Sequence, residues 1–279
     1  MERVIAAAVQ LTSTEDRARN LREAMRWIDE AHRRGAGFVA LPENVDLMGS
    51  EEAKIAGAEA VDGPTFQAFA ARAKALGIWV LAGTLAERAS PGRIFNTSVL
   101  YDPEGAAAAV YRKVHLFDVD LADGVRYRES RVVESGRELV VAEAGFGRVG
   151  LSICYDLRFP ELFRALAQKG AEILAVPSAF TLHTGKDHWE VLLRARAIEN
   201  TAYVIAPAQV GRHGAGRTTY GNAMIVDPWG AVIARCSDGP GICLAELSPE
   251  VLLRVRRELP SLGHRRVGVS GSFSDTDRG

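Results

Sequence analysis

The sequence is poor in cysteine. Only Cys154, Cys236 and Cys243 occur among 279 residues, and none belongs to a C-x-x-C pair. Such an odd, widely spaced set offers no disulfide framework and suits the reduced thiols of a cytoplasm. Long apolar runs are missing as well, with nothing approaching the roughly 18 residues of a spanning helix. The opening "MERVIAAAVQLTSTED" has an acid at its second position and an apolar run too short for a signal peptide. Net charge is nearly absent, −1 from 34 basic and 35 acidic residues, which argues against nucleic acid or a membrane surface as partner. Lysine is scarce, 5 against 29 arginines, so each position that keeps one is informative. There is no glycine-rich phosphate loop and no G-x-S-x-G. The histidines suggest no metal site: His183 and His188 stand five apart, across what reads as a Gly185-Lys186 turn. The following "DHWE" reads as a capping box, with Asp187 as cap and Glu190 three residues on. No metal and no cofactor are expected.

What is present is an alternation of strands and helices. With 47% hydrophobic residues the chain has material for a large core. "RVIAAAVQL" reads as a buried strand, and Leu21, Ala24, Met25 and Ile28 form the stripe of an amphipathic helix that Gly35 ends. "FVALP" is a strand, "PTFQAFAARAKALG" a helix and "IWVLAG" another strand. The chain also repeats itself. "GAGFVALP" (35–42) matches "GAEILAVP" (170–177), and "YDPEGA" (101–106) matches "VDPWGA" (226–231), the latter pair with the chemistry of tight hairpin turns. The halves therefore look like copies of one β-α-β-α-β-β plan sharing one sheet system and one domain. Each copy runs strand, proline, polar residue, with Glu43 in the first and Ser178 in the second. Strand C-termini are where α/β proteins usually place their chemistry.

Cys154 also follows a strand, "RVGLSI", and precedes a helix that starts at Pro160 and stops at Gly170. Residues 154–158 thus form a strand-to-helix elbow, which can expose a nucleophile beside free backbone N–H groups. A packed core cysteine would satisfy the same pattern. Glu43 is either a solvated loop residue or a carboxylate at the mouth of an apolar crevice, with a raised pKa suited to proton transfer near neutrality. In "VYRKVHLFDVD", strand alternation puts Tyr111, Lys113 and His115 on one face. Lys113 reads as an edge-strand surface lysine or as a compact ammonium chosen over a guanidinium. Glu129 sits among Arg126, Arg128 and Arg131, as a surface ion pair or as a second acid orienting Lys113.

In order and spacing, "LPEN", "YRKVHLFD" and "GLSICYDLRFPELFR" resemble the three signature segments of the nitrilase superfamily of carbon–nitrogen hydrolases. The likeness runs from about residue 4 to 268, implying one domain over 1–268 and a tail over 269–279. "PSAFTLHTGKDHWEVLLRARAIEN" and "DPWGAVIARCSDGPG" are similar to the Nit branch, on the side of the deaminated glutathione amidases. The resemblance implies an α/β fold, a four-layer αββα sandwich, internally duplicated, in a homodimer or larger homo-oligomer. It implies that Cys154 attacks an amide carbonyl while Glu43 takes and returns the thiol proton. Lys113 and the Tyr155 backbone N–H would hold the oxyanion, with Glu129 positioning the lysine. The implied substrate is a small 2-oxo-acid amide, either deaminated glutathione or 2-oxoglutaramate, with a broader aliphatic amidase or N-carbamoyl hydrolase as the neighbouring activity. Arg158 is placed to meet the substrate carboxylate, or to brace the elbow through Asp156 or Glu161. Phe180, Thr181 and Thr184 would complete the pocket. A non-catalytic binding protein and a thiol redox protein are the competing classes, the latter weakened by the lack of a nearby resolving cysteine.

Overall fold

In the computed structural model, residues 1–120 and 126–267 are described. The expected tail, 269–279, lies outside the described residues.

The first half opens with β1 (Val4–Leu11) and α1 (Arg17–Arg33). Asp16 caps α1 by accepting from the Arg19 N–H at 2.9 Å, and the expected stripe buries Ala24 and Ile28. After β2 (Phe38–Ala40) comes α2 (Glu51–Ala56), a short helix with no apolar periodicity to announce it. Then follow α3 (Pro64–Leu76), β3 (Trp79–Leu81), β4 (Leu85–Arg88), β5 (Ile94–Tyr101) and β6 (Ala107–Arg112). Pro64 starts α3, and Gly77 ends it at φ 64°, a conformation that favours glycine. A short ribbon of β7 (Asp118–Asp120) and β8 (Arg126–Arg128) precedes β9 (Val141–Ala144). The second half runs β10 (Gly147–Leu151), α4 (Pro160–Gln168), β11 (Ile173–Ala175), α5 (Leu182–Asn200) and β12 (Tyr203–Ala206). It continues with β13 (Ala208–Arg212), β14 (Thr218–Tyr220), β15 (Met224–Val226) and β16 (Val232–Arg235), then β17 (Gly241–Leu247) and α6 (Pro249–Glu258).

The duplication is visible in the pairing. β1, β2 and β3 are parallel neighbours, and β5 and β6 add antiparallel; β10, β11, β12, β15 and β16 repeat that order and direction. The matched "DP" turns are alike in their bonds. Asp102 Oδ1 accepts from the Glu104 and Ala106 N–H groups, and Asp227 Oδ1 accepts from those of Trp229 and Ala231. Each half builds its own sheet, but β13 and β17 cross from the second half to pair with β1.

Side-chain alternation sorts the layers. Ala6, Ala8, Phe38 and Ala40 belong to the core between the sheets, whereas Ala7, Val9 and Val39 pack with Ala24, Ile28, Phe66 and Phe69 of the outer helices. α4 and α5 lie on the second sheet, which completes an αββα sandwich. Among the described residues no helix is long and apolar enough to cross a membrane.

One local expectation is corrected here. Asp187 caps nothing: α5 starts earlier, with Thr181 as its cap, and no Gly-Lys turn separates the two histidines. The glycine misled because Gly185 serves close packing rather than a turn; a Cβ there would collide with the Tyr220 side chain. His183 and His188 do face different ways, roughly 140° apart on the helix.

Candidate active site

Four loops that follow strands meet at one end of the sandwich. Glu43 lies three residues beyond β2, Lys113 one beyond β6, Cys154 three beyond β10 and Ala179 four beyond β11. Glu43 is only 2% exposed, so it is no solvated loop residue. Its Oε1 accepts from Lys113 Nζ at 3.0 Å and Asn96 Nδ2 at 2.9 Å, and its Oε2 accepts from the Ala179 N–H at 2.9 Å. Gln209 Nε2 donates to the Glu43 carbonyl at 3.0 Å, which fixes the backbone as well.

Lys113, also 2% exposed, bridges two acids rather than meeting solvent. Besides Glu43 it donates to Glu129 Oε1 and Oε2 at 3.1 and 2.9 Å. The surface-pair alternative for Glu129 falls with this, since its carboxylate also accepts from the Phe117 N–H at 2.7 Å and Asn96 Nδ2 at 3.3 Å, and from none of the surrounding arginines. Two carboxylates and one ammonium leave the cluster with one net negative charge.

Cys154 begins a single 3-10 turn, Cys154–Arg158, and adopts φ 47°. Left-handed backbone at a non-glycine residue costs on the order of 1 kcal/mol or more and persists only where neighbours hold it. Here its own N–H donates to the Pro177 carbonyl at 3.0 Å, and Asp156 locks the turn from inside. Asp156 is fully buried; its Oδ2 accepts from the Ile153 N–H and the Tyr111 hydroxyl, its Oδ1 from the His115 N–H. Strand alternation does not produce the expected face, because β6 ends at Arg112 and Lys113 and His115 lie beyond it, yet Tyr111, Lys113 and His115 all serve this site. Tyr111 and His115 brace the elbow while Lys113 enters the acid cluster.

Arg158 pairs with neither Asp156 nor Glu161. Asp156 is occupied by Tyr111 and His115, and Arg158 Nη1 instead stands 3.1 Å from His188 Nδ1, its guanidinium 5.1 Å from the Phe180 ring centre. Glu43, Lys113, Glu129, Cys154 and Tyr155 line one cavity of about 460 Å³, with Arg158, Phe180, Thr181 and Thr184 on its wall. That volume suits a small molecule.

The electrostatics reverse one expectation. Burial works to raise the Glu43 carboxyl, but the Lys113 ammonium, with Arg217 behind it, overcomes that and holds it down at about 2. The raised value inferred for an acid in an apolar crevice left out the cation 3.0 Å away. Burial likewise opposes charge on Lys113, yet Glu129 and Glu43 keep its pKa above the ordinary lysine value. Burial, seconded by the Glu43 charge, pushes the Cys154 thiol well above the ordinary thiol range. The resting site is thus a neutral thiol facing an ionised carboxylate.

Cys236 and Cys243 point into the fold, their sulfurs 3.9 and 3.8 Å from the Ala8 carbonyl. Iodoacetamide is therefore expected to modify one residue per chain, Cys154, more slowly at pH 7.5 than free cysteine reacts. Peptide mass mapping checks it, and equal labelling of Cys236 or Cys243 would contradict it.

Three further residues shape the site. Asn96 is a polar residue inside the apolar run "IFNTSVLY", and it touches both Glu43 and Glu129. Lys54 lines the cavity, and the scarcity of lysine could have pointed to it. Arg217, which also lines the cavity, sits in a loop whose sequence marks nothing. Among the described residues no group of three or more His, Cys, Asp or Glu is arranged to hold a metal ion.

A duplicated αββα sandwich with a buried thiol, carboxylate and ammonium in one cavity has the form of a hydrolase working on carbon–nitrogen bonds. Residues 5–257 match the family model described as carbon-nitrogen hydrolase, and the chain belongs to that family. It is 48% identical over 269 residues to a deaminated glutathione amidase of Synechocystis sp., covering 95% of this chain and 99% of the relative. A human deaminated glutathione amidase is 43% identical over 275 residues, 96% of this chain and 84% of that protein. Among solved structures, the NitFhit protein of C. elegans superposes with a TM-score of 0.90 at 40% identity. That match covers 95% of this chain and 66% of the longer C. elegans chain.

Proposed function

We propose that this chain hydrolyses deaminated glutathione to 2-oxoglutarate and Cys-Gly through a thioester on Cys154. The single observation that supports the chemistry most is the thiol facing an ionised carboxylate that is itself paired with a buried ammonium. The substrate rests on the similarity to the Synechocystis and human amidases over nearly the whole chain.

The resting protonation states shape the mechanism. Because the thiol lies high and Glu43 low, a free thiolate is not populated. Proton transfer must accompany formation of the S–C bond. As Sγ attacks, the carbonyl oxygen becomes an oxyanion held by Lys113 and the Tyr155 N–H. The lysine's charge then turns from Glu43 toward that oxygen, so Glu43 becomes more basic as it receives the proton. Glu43 passes this proton to the leaving nitrogen, the C–N bond breaks and Cys-Gly departs. A water deprotonated by Glu43 attacks the thioester, 2-oxoglutarate leaves, and the proton returns to sulfur. Glu129 keeps Lys113 charged and aimed. One oxyanion donor of this kind is worth roughly 10²–10³ in turnover.

Arg158, lying on Phe180 beside Thr181 and Thr184, meets the 2-oxo carboxylate. A thiol redox role is disfavoured because the other two sulfurs turn to the Ala8 carbonyl and do not line the cavity. The free state of all three cysteines agrees with a cytoplasmic protein. Homodimers or larger assemblies are supported by exposed Val191 and Ile198, seven apart on α5, beside exposed Trp229 of the β15–β16 hairpin.

The deciding experiment compares release of Cys-Gly from deaminated glutathione with release of ammonia from 2-oxoglutaramate. We expect kcat/KM about tenfold or more in favour of deaminated glutathione, equivalent to about 1.4 kcal/mol of transition-state binding. Preference for 2-oxoglutaramate would make the enzyme an ω-amidase instead, and turnover of neither would overturn the assignment.

A further inference from the structure

The charges lining the cavity do not balance in pairs. Every carboxylate on its wall already has a cation: Glu43 and Glu129 share Lys113, Asp46 holds Arg17 at 2.9 Å, and Glu51 faces Arg131 at 3.6 Å. Arg126 and Arg128 are taken up by Asp120. Three cations on the wall have no carboxylate within ion-pair distance among the described residues: Arg158, Lys54 and Arg217.

Arg158 leaves from the nucleophile's own turn. Lys54 and Arg217 hang instead from the residues around Glu43. Lys54 Nζ donates to Asn44 Oδ1 at 2.8 Å, and Asn44 directly follows Glu43. Asn44 is held in left-handed backbone, φ 54°, with its N–H bonded to Thr84 Oγ1 at 2.8 Å. Arg217 Nη2 donates to the Ala179 carbonyl at 3.0 Å, one residue's backbone away from the N–H that holds Glu43. Its Nε is buried without a partner, and its guanidinium stands 5.5 Å from the Tyr127 ring centre. Both hydrogen-bond only to neutral acceptors, and Arg217 acts against the Lys54 charge while the Glu129 and Glu43 carboxylates, already bonded to Lys113, act from farther off. A buried unsatisfied N–H is costly as well. A ligand carboxylate would relieve both.

The side on which they stand has a meaning. Glu43 delivers the proton to the leaving nitrogen in the mechanism above, so the leaving half of the substrate lies on its side. We infer that Lys54 and Arg217 form a second carboxylate site, which binds the terminal carboxylate of the leaving dipeptide. The cavity is then built for an amide carrying an anion at each end, with Arg158 for the acyl half and Lys54 with Arg217 for the amine half. This assignment rests on the proposed hydrolysis of deaminated glutathione and names what would separate that substrate from 2-oxoglutaramate, whose leaving group is ammonia. Burial, with Arg217 next, pulls the Lys54 pKa below the ordinary lysine value, and a bound carboxylate would push it back.

The test is a binding cycle in the Cys154→Ala protein, which cannot turn over. Calorimetry compares deaminated glutathione with its C-terminal carboxamide, which lacks only the terminal charge. The carboxamide is expected to bind about tenfold more weakly, the scale of one charge-assisted hydrogen bond. Adding Lys54→Met or, separately, Arg217→Gln should shrink that ratio to about twofold or less, by the same scale. Two variants on different elements, each checked by its melting temperature, keep the outcome readable if one fails to fold. An undiminished ratio in both, or no preference in the parent, overturns the site. Wild-type enzyme that releases no Cys-Gly from a ligand it nonetheless discriminates would overturn the function and leave the site standing.

Discussion

Cys154→Ala is expected to lower turnover by about 10⁵-fold or more with little change in melting temperature, since removing a nucleophile abolishes the covalent route entirely. The separation of the two effects follows from how the residue is held. The backbone bond to Pro177 and the Asp156 lock on the elbow do not involve sulfur, so the turn survives its loss. Cys154 is buried, 7% exposed, at the edge of the inter-sheet core, but the change removes one atom from a residue that lines the cavity. Release of Cys-Gly measures the first effect and thermal unfolding the second. In parallel, acid-quenched wild-type protein should show the acyl adduct on the peptide carrying Cys154. Residual activity above about 1% of wild type would remove the nucleophile from Cys154, because a nucleophile deletion of this kind costs far more.

Lys113→Met should be nearly as damaging and should also change how stability responds to pH. Turnover is expected to fall by about 10³-fold or more, since the change removes an oxyanion donor and leaves Glu43 in the wrong charge state. In the wild type the folded Glu43 carboxyl sits at about 2, below its unfolded value. Its contribution to stability is therefore complete above the unfolded value and is lost as pH falls toward 2. Without the ammonium, burial is the largest influence left on Glu43, with Glu129 close by on the shared Asn96 amide. It is expected to outweigh Arg217 and the remaining hydrogen bonds and lift the folded pKa above the unfolded one. In the variant, Glu43 stabilises the fold at low pH and loses that contribution as pH rises through the raised value. The stability gap between the two proteins should thus widen from pH 5 to pH 7.5, where it reaches about 3–5 kcal/mol, the usual cost of orphaning a buried charge. Urea unfolding at the two pH values measures the gap. A gap that stays constant would mean that Lys113 does not set the ionisation of Glu43.

The elements differ in how far they could be read in advance. The two "DP" turns were legible because an aspartate, a proline and a glycine within six residues contain the whole reason for the hairpin. α1 and α4 were legible for the same kind of reason, since a stripe and the Gly35 stop mark the first and the Pro160 start and Gly170 stop mark the second, each within one stretch of chain. α2 was not, being only six residues long and burying no residue fully. "DHWE" misled because a genuine local cap signal lay within a longer helix already capped at Thr181. The bracing alternative for Arg158 required an acid three residues or fewer away, whereas both oxygens of the nearer candidate, Asp156, are claimed from β6 and beyond.

The sequence by itself determined the duplicated strand and helix plan, the elbow at Cys154 and, by resemblance, which acid, amine and thiol to watch. Tertiary structure alone decided what state those groups are in. Glu43 meets Lys113 across 70 residues and the Ala179 N–H across 136, and no window of sequence contains either encounter. A fold is encoded by chemistry repeated over a few neighbouring residues, but the ionisation of a buried group depends on a charge within a few ångströms. Only folding sets that distance, and with it came the correction to Glu43 and the placing of Lys54 and Arg217 on the wall of its cavity.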